Sequence, residues 1–583
     1  MRVYQFHHIR VAVSVNSFIT IAKNNQYKKR QQVSRLCYDN KQYGVFIVNK
    51  IAQYLNTHML GEVVVAPSIR HSYAHDGSVL QYTPDMVAYP RSTSDIRKIA
   101  RFSWQLAEKG HTLPLIARGS GTDTTGAAIG SGMVVVPSAH MSRIFEYDQK
   151  QKLVRLQPGV TVNALSNALA LYGVAIPELR WDHQMATIGG AIASQRNSIE
   201  YVDQLEVVLA NGDVLQTKRI SKREVEKKKG QQNFEGDIYR GVDKLIEENP
   251  ELLDQMVYDD NRLDHSGYAG LEMVKDKHGS FDLTPLFVGS QGSLGIISEM
   301  ILKADFVNQN PAAVVVAFAD KAAALDALDV IDSCDPSAVE YIDSKYFEAA
   351  ALAGKNFRFY EDATEQLGEL AAVVVVTIND FAERARKKKV KKLLAKLKPL
   401  PAYAVAEDDL LASDLRAITA VTYWLLNPDK QDFSTPPALD GVYVPTNRFE
   451  AFSTQLEALA KKHHTTLALY GRPLDEIWYV RPVLRMAAVA DKQKLFKLMS
   501  ELAALVEAHD GAPFGVSGEG RLGASLKADD DKHQELFKKL KDVFDPHGTL
   551  NPGVKHGTTV RELAKQVRNS YEGPAATGYL AKY

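Results

Sequence analysis

The chemistry most legible in this chain lies in four glycine-bearing segments between residues 118 and 297. They are Arg118-Gly119-Ser120-Gly121-Thr122, Gln157-Pro158-Gly159-Val160, Thr187-Ile188-Gly189-Gly190, and Gly289-Ser290-Gln291-Gly292-Ser293-Leu294-Gly295-Ile296-Ile297. Glycine lets backbone N–H groups come close to an anion, so several such turns converging suggest a large phosphate-bearing cofactor. A Rossmann site needs G-x-G-x-x-G between a strand and a helix. Here Gly126 follows Gly119-x-Gly121 at the wrong spacing and strand follows the turn, while a Walker loop fails for want of Gly-Lys-Ser/Thr. Another architecture must hold the cofactor.

Strands and helices are needed to place these turns. The stretch Thr112 to Ala117 reads as a strand delivering the chain into Arg118, beside strands at Asp85 to Pro90 and Met133 to Val136. Apolar residues from Phe46 to Leu60 recur with helical spacing, and Ser92-Thr93-Ser94-Asp95 offers capping chemistry to a helix reaching Lys109. Leu153 to Gln157 alternates as a strand into Pro158-Gly159, and Thr161 caps a helix over Val162 to Tyr172. Asn211-Gly212 turns a hairpin between Leu205–Leu209 and Val214–Thr217. Residues 218–264 read as a charged helical insertion outside the core.

Beyond Phe306 a second α+β pattern begins, with strands at Ala313 to Phe318 and Ala371 to Ile378 and helices at Lys321 to Ser333 and Ala382 to Leu397. The basic run from Arg386 to Lys398 lies on a helix whose Val390, Leu393, Leu394 and Leu397 face inward, which makes the charges a solvated face. From Gly557 onward the tail reads as loosely docked.

Lys plus Arg and Asp plus Glu both number 70, so no global field favours nucleic acid or an anionic membrane. Only Cys37 and Cys334 occur, too few for a Cys-ligated cluster or a disulfide scaffold, and a reducing compartment such as the cytoplasm fits. No apolar run is long enough to span a bilayer, leaving peripheral membrane contact open. Residues 1–45 form a basic extension with no Asp or Glu before Asp39, a composition also found in organellar targeting peptides.

The ordered set of motifs resembles the vanillyl-alcohol-oxidase (PCMH-type) FAD-binding oxidoreductases, in the branch of D-lactate, glycolate and D-2-hydroxyglutarate dehydrogenases. The matching residues are Pro90-Arg91-Ser92-Thr93, Ala117 to Thr122, Leu156 to Val160, Leu286-Phe287-Val288-Gly289-Ser290 and Asn551-Pro552-Gly553. The resemblance implies an α+β fold: a bipartite FAD-binding domain over 46–306, an α+β, ferredoxin-like cap or substrate domain over 307–500, and a C-terminal segment, 501–583, returning to the FAD domain. It implies cofactor contacts at Arg118, Gly119, Ser120, Gly121, Thr122, Thr125, Gly126, Pro158, Gly159, Thr187, Gly189, Gly190 and Ile297. Relatives that bind FAD covalently carry His at the position of Thr122, so FAD is expected to be non-covalent. Gln291 departs from the family's Glu and keeps hydrogen-bonding capacity.

In these relatives a His-Ala-Gly-Asp-Gly-Asn-Leu-His run and a Ser-Gly-Glu-His-Gly run supply metal ligands and a catalytic His. Here the first run places Arg472 and Tyr479 at the two histidine positions, and the second reads Ser517-Gly518-Glu519-Gly520-Arg521. No metal is therefore expected. Arg472, Arg481, Tyr479 and Glu519 become the catalytic candidates and Arg416 and Arg521 the substrate-binding ones, guanidinium groups suiting a carboxylate by bidentate pairing. The implied activity is hydride transfer from a small 2-hydroxy acid or related alcohol to FAD, with a quinone, carrier protein or oxygen as the final electron acceptor. A sugar or aldonolactone oxidase and a flavin-binding protein without dehydrogenase chemistry remain alternatives.

Overall fold

The computed structural model describes residues 48–176, 185–256, 265–268, 270–308, 311–352, 356–406, 418, 421, 434–439, 441–526 and 532–571. The N-terminal extension, Arg416 and residues 572–583 lie outside the described residues.

Strands β1 (Glu62–Val64), β2 (Met86–Tyr89), β3 (Leu115–Ala117) and β4 (Met133–Val135) form a sheet in the order β1-β2-β4-β3. Both faces are covered, with Val87, Ile116 and Val134 on one and Met86, Leu115 and Met133 on the other. Burial on both faces explains why these strands are apolar without alternation. β2, β4 and β3 run parallel. Their C-terminal ends therefore share one edge, the usual side for ligands in parallel sheets, and Arg118 leaves β3 there.

The helix Thr93–Ala107 buries Ile96, Ile99, Ala100 and Leu106 at helical spacing. Ser92 does not cap it through its side chain. The fully buried Asp95 carboxylate instead accepts from the amides of Leu60, Gly61 and Arg91 at 2.9–3.0 Å, pinning the entry to β1 against the helix start.

The second sheet contains β5 (Ile144–Asp148), β6 (Leu153–Leu156), β8 (Val202–Val208), β9 (Val214–Gln216) and β10 (Ile296–Lys303), ordered β5-β6-β10-β8-β9. A two-residue β7 (Val174–Ala175) pairs with β11 (Asp305–Phe306). Because β10 runs antiparallel to β6, the end of β6 and the start of β10 lie at one edge. That brings Pro158-Gly159 and Gly295-Ile296-Ile297 together although 136 residues separate Gly159 from Gly295.

Residues 218–256 are helical as expected, yet they are not outside the core. The helix Phe234–Glu248 buries Ile238, Val242 and Leu245 and packs against Lys532–Phe544. Its charged residues occupy the other face, and their density masked the apolar stripe in the sequence.

The third sheet is antiparallel throughout: β15 (Ala402–Ala406), β12 (Ala312–Phe318), β14 (Ala372–Ile378), β13 (Ala338–Asp343), β17 (Leu467–Arg472), β18 (Ile477–Pro482) and β16 (Val442–Tyr443), in that order among the described residues. Helices Lys321–Asp332, Glu383–Leu397, Thr446–Lys462 and Val489–Glu507 cover one face. Leu393 and Leu397 point inward from the basic helix. Ser344–Leu352 and Arg358–Leu367 contribute to the other face. The last cap helix continues past residue 500 to Glu507.

The chain then returns to the first domain. Leu550 bridges β3 at Leu115, with the Leu115 amide donating to Thr549 and the Asn551 amide to Leu115, both at 2.8 Å. The tail up to Tyr571 is held rather than loose: the Tyr571 hydroxyl donates to Gly77 at 2.8 Å, the Gln81 amide to Gln566, and Leu563 is fully buried.

Candidate functional site

A cleft opens where the strand edges of the first two sheets meet. Of the thirteen residues expected to contact a cofactor, Arg118, Gly119, Ser120, Gly121, Thr122, Pro158, Gly159, Thr187, Gly189, Gly190 and Ile297 line it. Ser138, Thr124, Gln195, Gln291 and Ser517 line it as well. The amides of Gly119, Ser120, Gly121 and Thr122 have no hydrogen-bond partner among the described residues, which leaves them to an anion in the cleft.

The loop conformation depends on its glycines. Gly121 has φ +79°, and a Cβ there would sit 2.2 Å from the Arg118 guanidinium. Arg118 is buried and donates to the Ala128 carbonyl at 3.3 Å, burial lowering its pKa. Gly189 packs on Pro158, where a Cβ would come within 2.6 Å of that ring. Gly190 is different: its Cβ would meet only the Thr187 hydroxyl within 4 Å, so the cleft is open beside it. Thr187 caps the short helix Ile188–Ser194 by accepting from the Gly190 amide at 3.2 Å.

Thr125 and Gly126 stand behind the wall, not in it. The Asp123 carboxylate accepts from the Thr125 hydroxyl and from the amides of Thr125 and Ala127. Gln291, at φ +54°, donates to the Thr125 hydroxyl at 3.0 Å while its side-chain oxygen accepts from the Gly520 amide at 2.9 Å. Asn551 donates to the carbonyls of Ala127 and Gln291 at 2.8 and 2.7 Å. Three chain segments hundreds of residues apart are thus tied at the back of the cradle.

Arg521 belongs to this tie. Its guanidinium donates to Gly126, Asn551 and Pro552 at 2.6–2.9 Å, and burial pushes its pKa down to about 10. Glu519 is also buried: its carboxylate accepts from the Gly267 amide at 2.6 Å and from the Lys555 ammonium at 3.1 Å. Lys555 is buried too and donates to the Gly267 carbonyl at 2.5 Å. Nearby His556 has its pKa lowered to about 4, chiefly by burial and then by Lys541.

The remaining candidates share one face of the cap sheet. On β18, Tyr479 and Arg481 alternate with core-facing Trp478 and Val480. Tyr479 stands opposite Tyr470 of β17 and stacks on it, with ring centroids 4.5 Å apart and planes 4° apart. Arg481 donates to the Tyr470 hydroxyl at 3.3 Å. Arg472, at the end of β17, is engaged by Asp475 in a salt bridge. Tyr479 lies against Gly441 beside Val516, whose neighbour Ser517 lines the cleft.

Sequence reasoning missed Tyr470, Tyr346, Asn551 and Lys555. Tyr470 and Tyr346 carry no motif signal of their own. Asn551 had a signal in Asn-Pro-Gly, where a non-glycine residue takes φ +43°.

Comparison with known proteins identifies two domains in the chain. An FAD binding domain matches residues 84–218, and the C-terminal domain of FAD linked oxidases matches 307–554. The chain therefore carries an FAD binding domain and the C-terminal domain of FAD linked oxidases. The D-2-hydroxyglutarate dehydrogenase of Pantoea ananatis is 26% identical over 569 residues, covering 90% of this chain and 55% of that protein. This chain thus spans about half the length of that relative and of its Escherichia coli counterpart. The Bacillus subtilis glycolate oxidase subunit GlcD is 23% identical over 84% of this chain and 93% of its own length. The solved 4-ethylphenol oxidase from Gulosibacter chungangensis superposes with a TM-score of 0.61 at 15% identity, covering 88% of this chain and 97% of that one. p-Cresol methylhydroxylase gives 0.60 at 14% identity, covering 89% and 98%. The α+β fold with a bipartite FAD domain and a cap is that of these oxidases.

The cleft, walled by the FAD binding domain, fits FAD. Four loop amides without a partner among the described residues suit a diphosphate, Gly190 leaves the wall open, and the buried Thr124 hydroxyl, also without a partner among them, offers a hydrogen bond. Among the described residues no group of His, Cys, Asp or Glu is arranged to hold a metal ion, and no helix is long and apolar enough to cross a membrane.

Proposed function

We propose that this chain is an FAD-dependent oxidoreductase that removes a hydride from the hydroxyl-bearing carbon of a small 2-hydroxy acid, D-lactate-like or glycolate-like, or a related alcohol. The carrying observation is the adjacency of Tyr479 on the cap sheet to Val516, whose neighbour Ser517 lines the glycine-walled cleft. The named activities of the relatives, D-2-hydroxyglutarate dehydrogenase, glycolate oxidase subunit and probable D-lactate dehydrogenase, support the same substrate class.

FAD, when bound, supplies the hydride acceptor. Gly119 to Thr122 would hold its diphosphate, and Pro158, Gly189, Gly190 and Ile297 its flanks, with no covalent link because Thr122 offers no nucleophilic nitrogen or sulfur. Arg481 holds the substrate carboxylate, and Tyr479 is the partner through which the hydroxyl proton leaves. Arg472 closes the end of this face, and Arg416 is a further candidate for the carboxylate. Glu519 and Arg521, whose polar atoms are engaged by Lys555, Gly267, Gly126, Asn551 and Pro552, keep the cradle in shape. Metal is not required, and the electrons pass on to a quinone, a carrier protein or oxygen. The protein works in the cytoplasm, with contact to a membrane limited to its surface.

Anaerobic mixing with D-hydroxy acids, polyols and lactones tests this through bleaching of the yellow flavin band. Bleaching by a hydroxy acid is expected. Bleaching by lactones or sugars alone would move the activity to the sugar oxidases, and no bleaching by any donor would leave a flavin-binding protein without this chemistry.

A further inference from the structure

Two buried donors, one on the cap sheet and one on the helix Ser344–Leu352 packed against it, have no partner among the described residues. The Tyr346 hydroxyl is buried, on a side chain with no solvent exposure, and has no hydrogen-bond partner. Arg481 is 7% exposed, and its Nη1 also has no partner, Nη2 alone reaching Tyr470. No carboxylate pairs with Arg481 among the described residues. Native interiors rarely leave such groups unmatched, and a buried cation without a counter-charge is the costlier of the two.

The two donors belong to one cluster. Tyr346 meets Tyr470 edge-on, with centroids 5.7 Å apart at 88°, and Arg481 lies over the same Tyr470 ring at 5.9 Å. Across the register from Arg481 stands Ala468, whose methyl leaves the guanidinium uncrowded on that side. Burial raises the Tyr346 pKa well above its ordinary value, so its hydroxyl keeps its proton and donates.

We propose that Arg481 Nη1 and the Tyr346 hydroxyl together form a carboxylate-binding site on the cap sheet, and that it takes a small monocarboxylate. A guanidinium edge and a neutral hydroxyl are two donors suited to one carboxylate. The neighbouring wall, formed by the Tyr470 and Tyr479 rings and Val516, is aromatic and aliphatic. A second carboxylate placed there would be desolvated against apolar atoms, so a dicarboxylic acid is disfavoured. This deepens the hydroxy-acid reading, rests on it for the identity of the substrate face, and adds Tyr346 and the preference for one carboxylate.

The test uses the FAD-loaded full chain titrated with propanoate and with glutarate, neither of which has a hydroxyl to oxidise, and follows the flavin difference spectrum. Propanoate should give a saturable change and glutarate a midpoint at least about tenfold higher. Tyr346→Phe should raise the propanoate midpoint about tenfold while leaving the melting temperature unchanged or higher, because the lost hydroxyl has no partner in the free protein. Arg481→Met should abolish the response. If that variant does not fold, Tyr346→Phe decides alone. An absent propanoate response, glutarate binding as tightly as propanoate, or a wild-type titration of Tyr346→Phe overturns the site. Bleaching by hydroxy acids is scored separately: bleaching with an unaffected Tyr346→Phe rejects the site and keeps the oxidoreductase, whereas a site that binds propanoate without any bleaching rejects the oxidoreductase.

Discussion

Replacing Glu519 by alanine separates a group that performs chemistry from one that shapes the cradle. The carboxylate has less than 2% exposure and both its oxygens are used, by the Gly267 amide at 2.6 Å and the Lys555 ammonium at 3.1 Å. Removing it takes from the buried Lys555 ammonium the carboxylate it pairs with. Breaking one side of a buried pair costs about 3–5 kcal/mol, and the orphaned amide adds to it without full additivity. At about 2 °C per kcal/mol for a domain of this size, Glu519→Ala should melt about 6–10 °C lower in the FAD-loaded protein. Glu519→Leu combined with Lys555→Met removes both charges and should recover most of that loss. Thermal melting followed by circular dichroism reads both. A Glu519→Ala melting within about 1 °C of the parent, or a double variant no more stable than the single, would refute the reasoning. Where melting recovers, the bleaching rate of the double variant decides the role: recovery marks Glu519 as a positioning residue, and continued loss marks it as a participant.

Other outcomes are expected. Gly121→Ala forces a side chain to φ +79° and into the Arg118 guanidinium; the strain, about 1–3 kcal/mol, should weaken FAD retention at least about fivefold, measured as the ratio of flavin to protein absorbance after desalting. His556 has a folded pKa of about 4 against 6.5 unfolded. Between those values the unfolded chain binds a proton that the folded chain refuses, so stability falls as pH drops through that window, by about 3 kcal/mol in all. Urea midpoints from pH 7 to 4.5 should show this, and His556→Gln should flatten the slope. Chelation should leave bleaching rates unchanged; stoichiometric zinc recovered by metal analysis, with activity lost on its removal, would contradict the replacement of the family's histidines by Arg472 and Tyr479.

The cradle was legible in the sequence because its determinants are local. A glycine at Gly121 or Gly189 announces a backbone demand within a few residues of itself, and the strand leading into Arg118 announces its direction. What escaped depends on distant partners. Arg521 and Glu519 read as free functional groups because the atoms that engage them, at Gly126, Asn551, Gly267 and Lys555, lie up to 395 residues away. Ser92-Thr93-Ser94-Asp95 read as local capping chemistry, whereas Asp95 also binds a loop more than thirty residues earlier. The apolar stripe of Phe234–Glu248 was concealed by charge on the opposite face, and Tyr346 could not be told from core filling until its hydroxyl proved to lack a partner.

The joint at Leu550 and Asn551 also has a consequence in time. Asn551 holds the Ala127 carbonyl across 424 residues, so on a ribosome adding about 5–20 residues per second the glycine loop waits roughly 20–80 s for the segment that locks it. During that interval the loop and the edge of β3 are made but unlatched. Loading of FAD should therefore be a late event in biogenesis, and a nascent chain halted before Thr549 should emerge with its first sheet formed and no durable hold on the flavin.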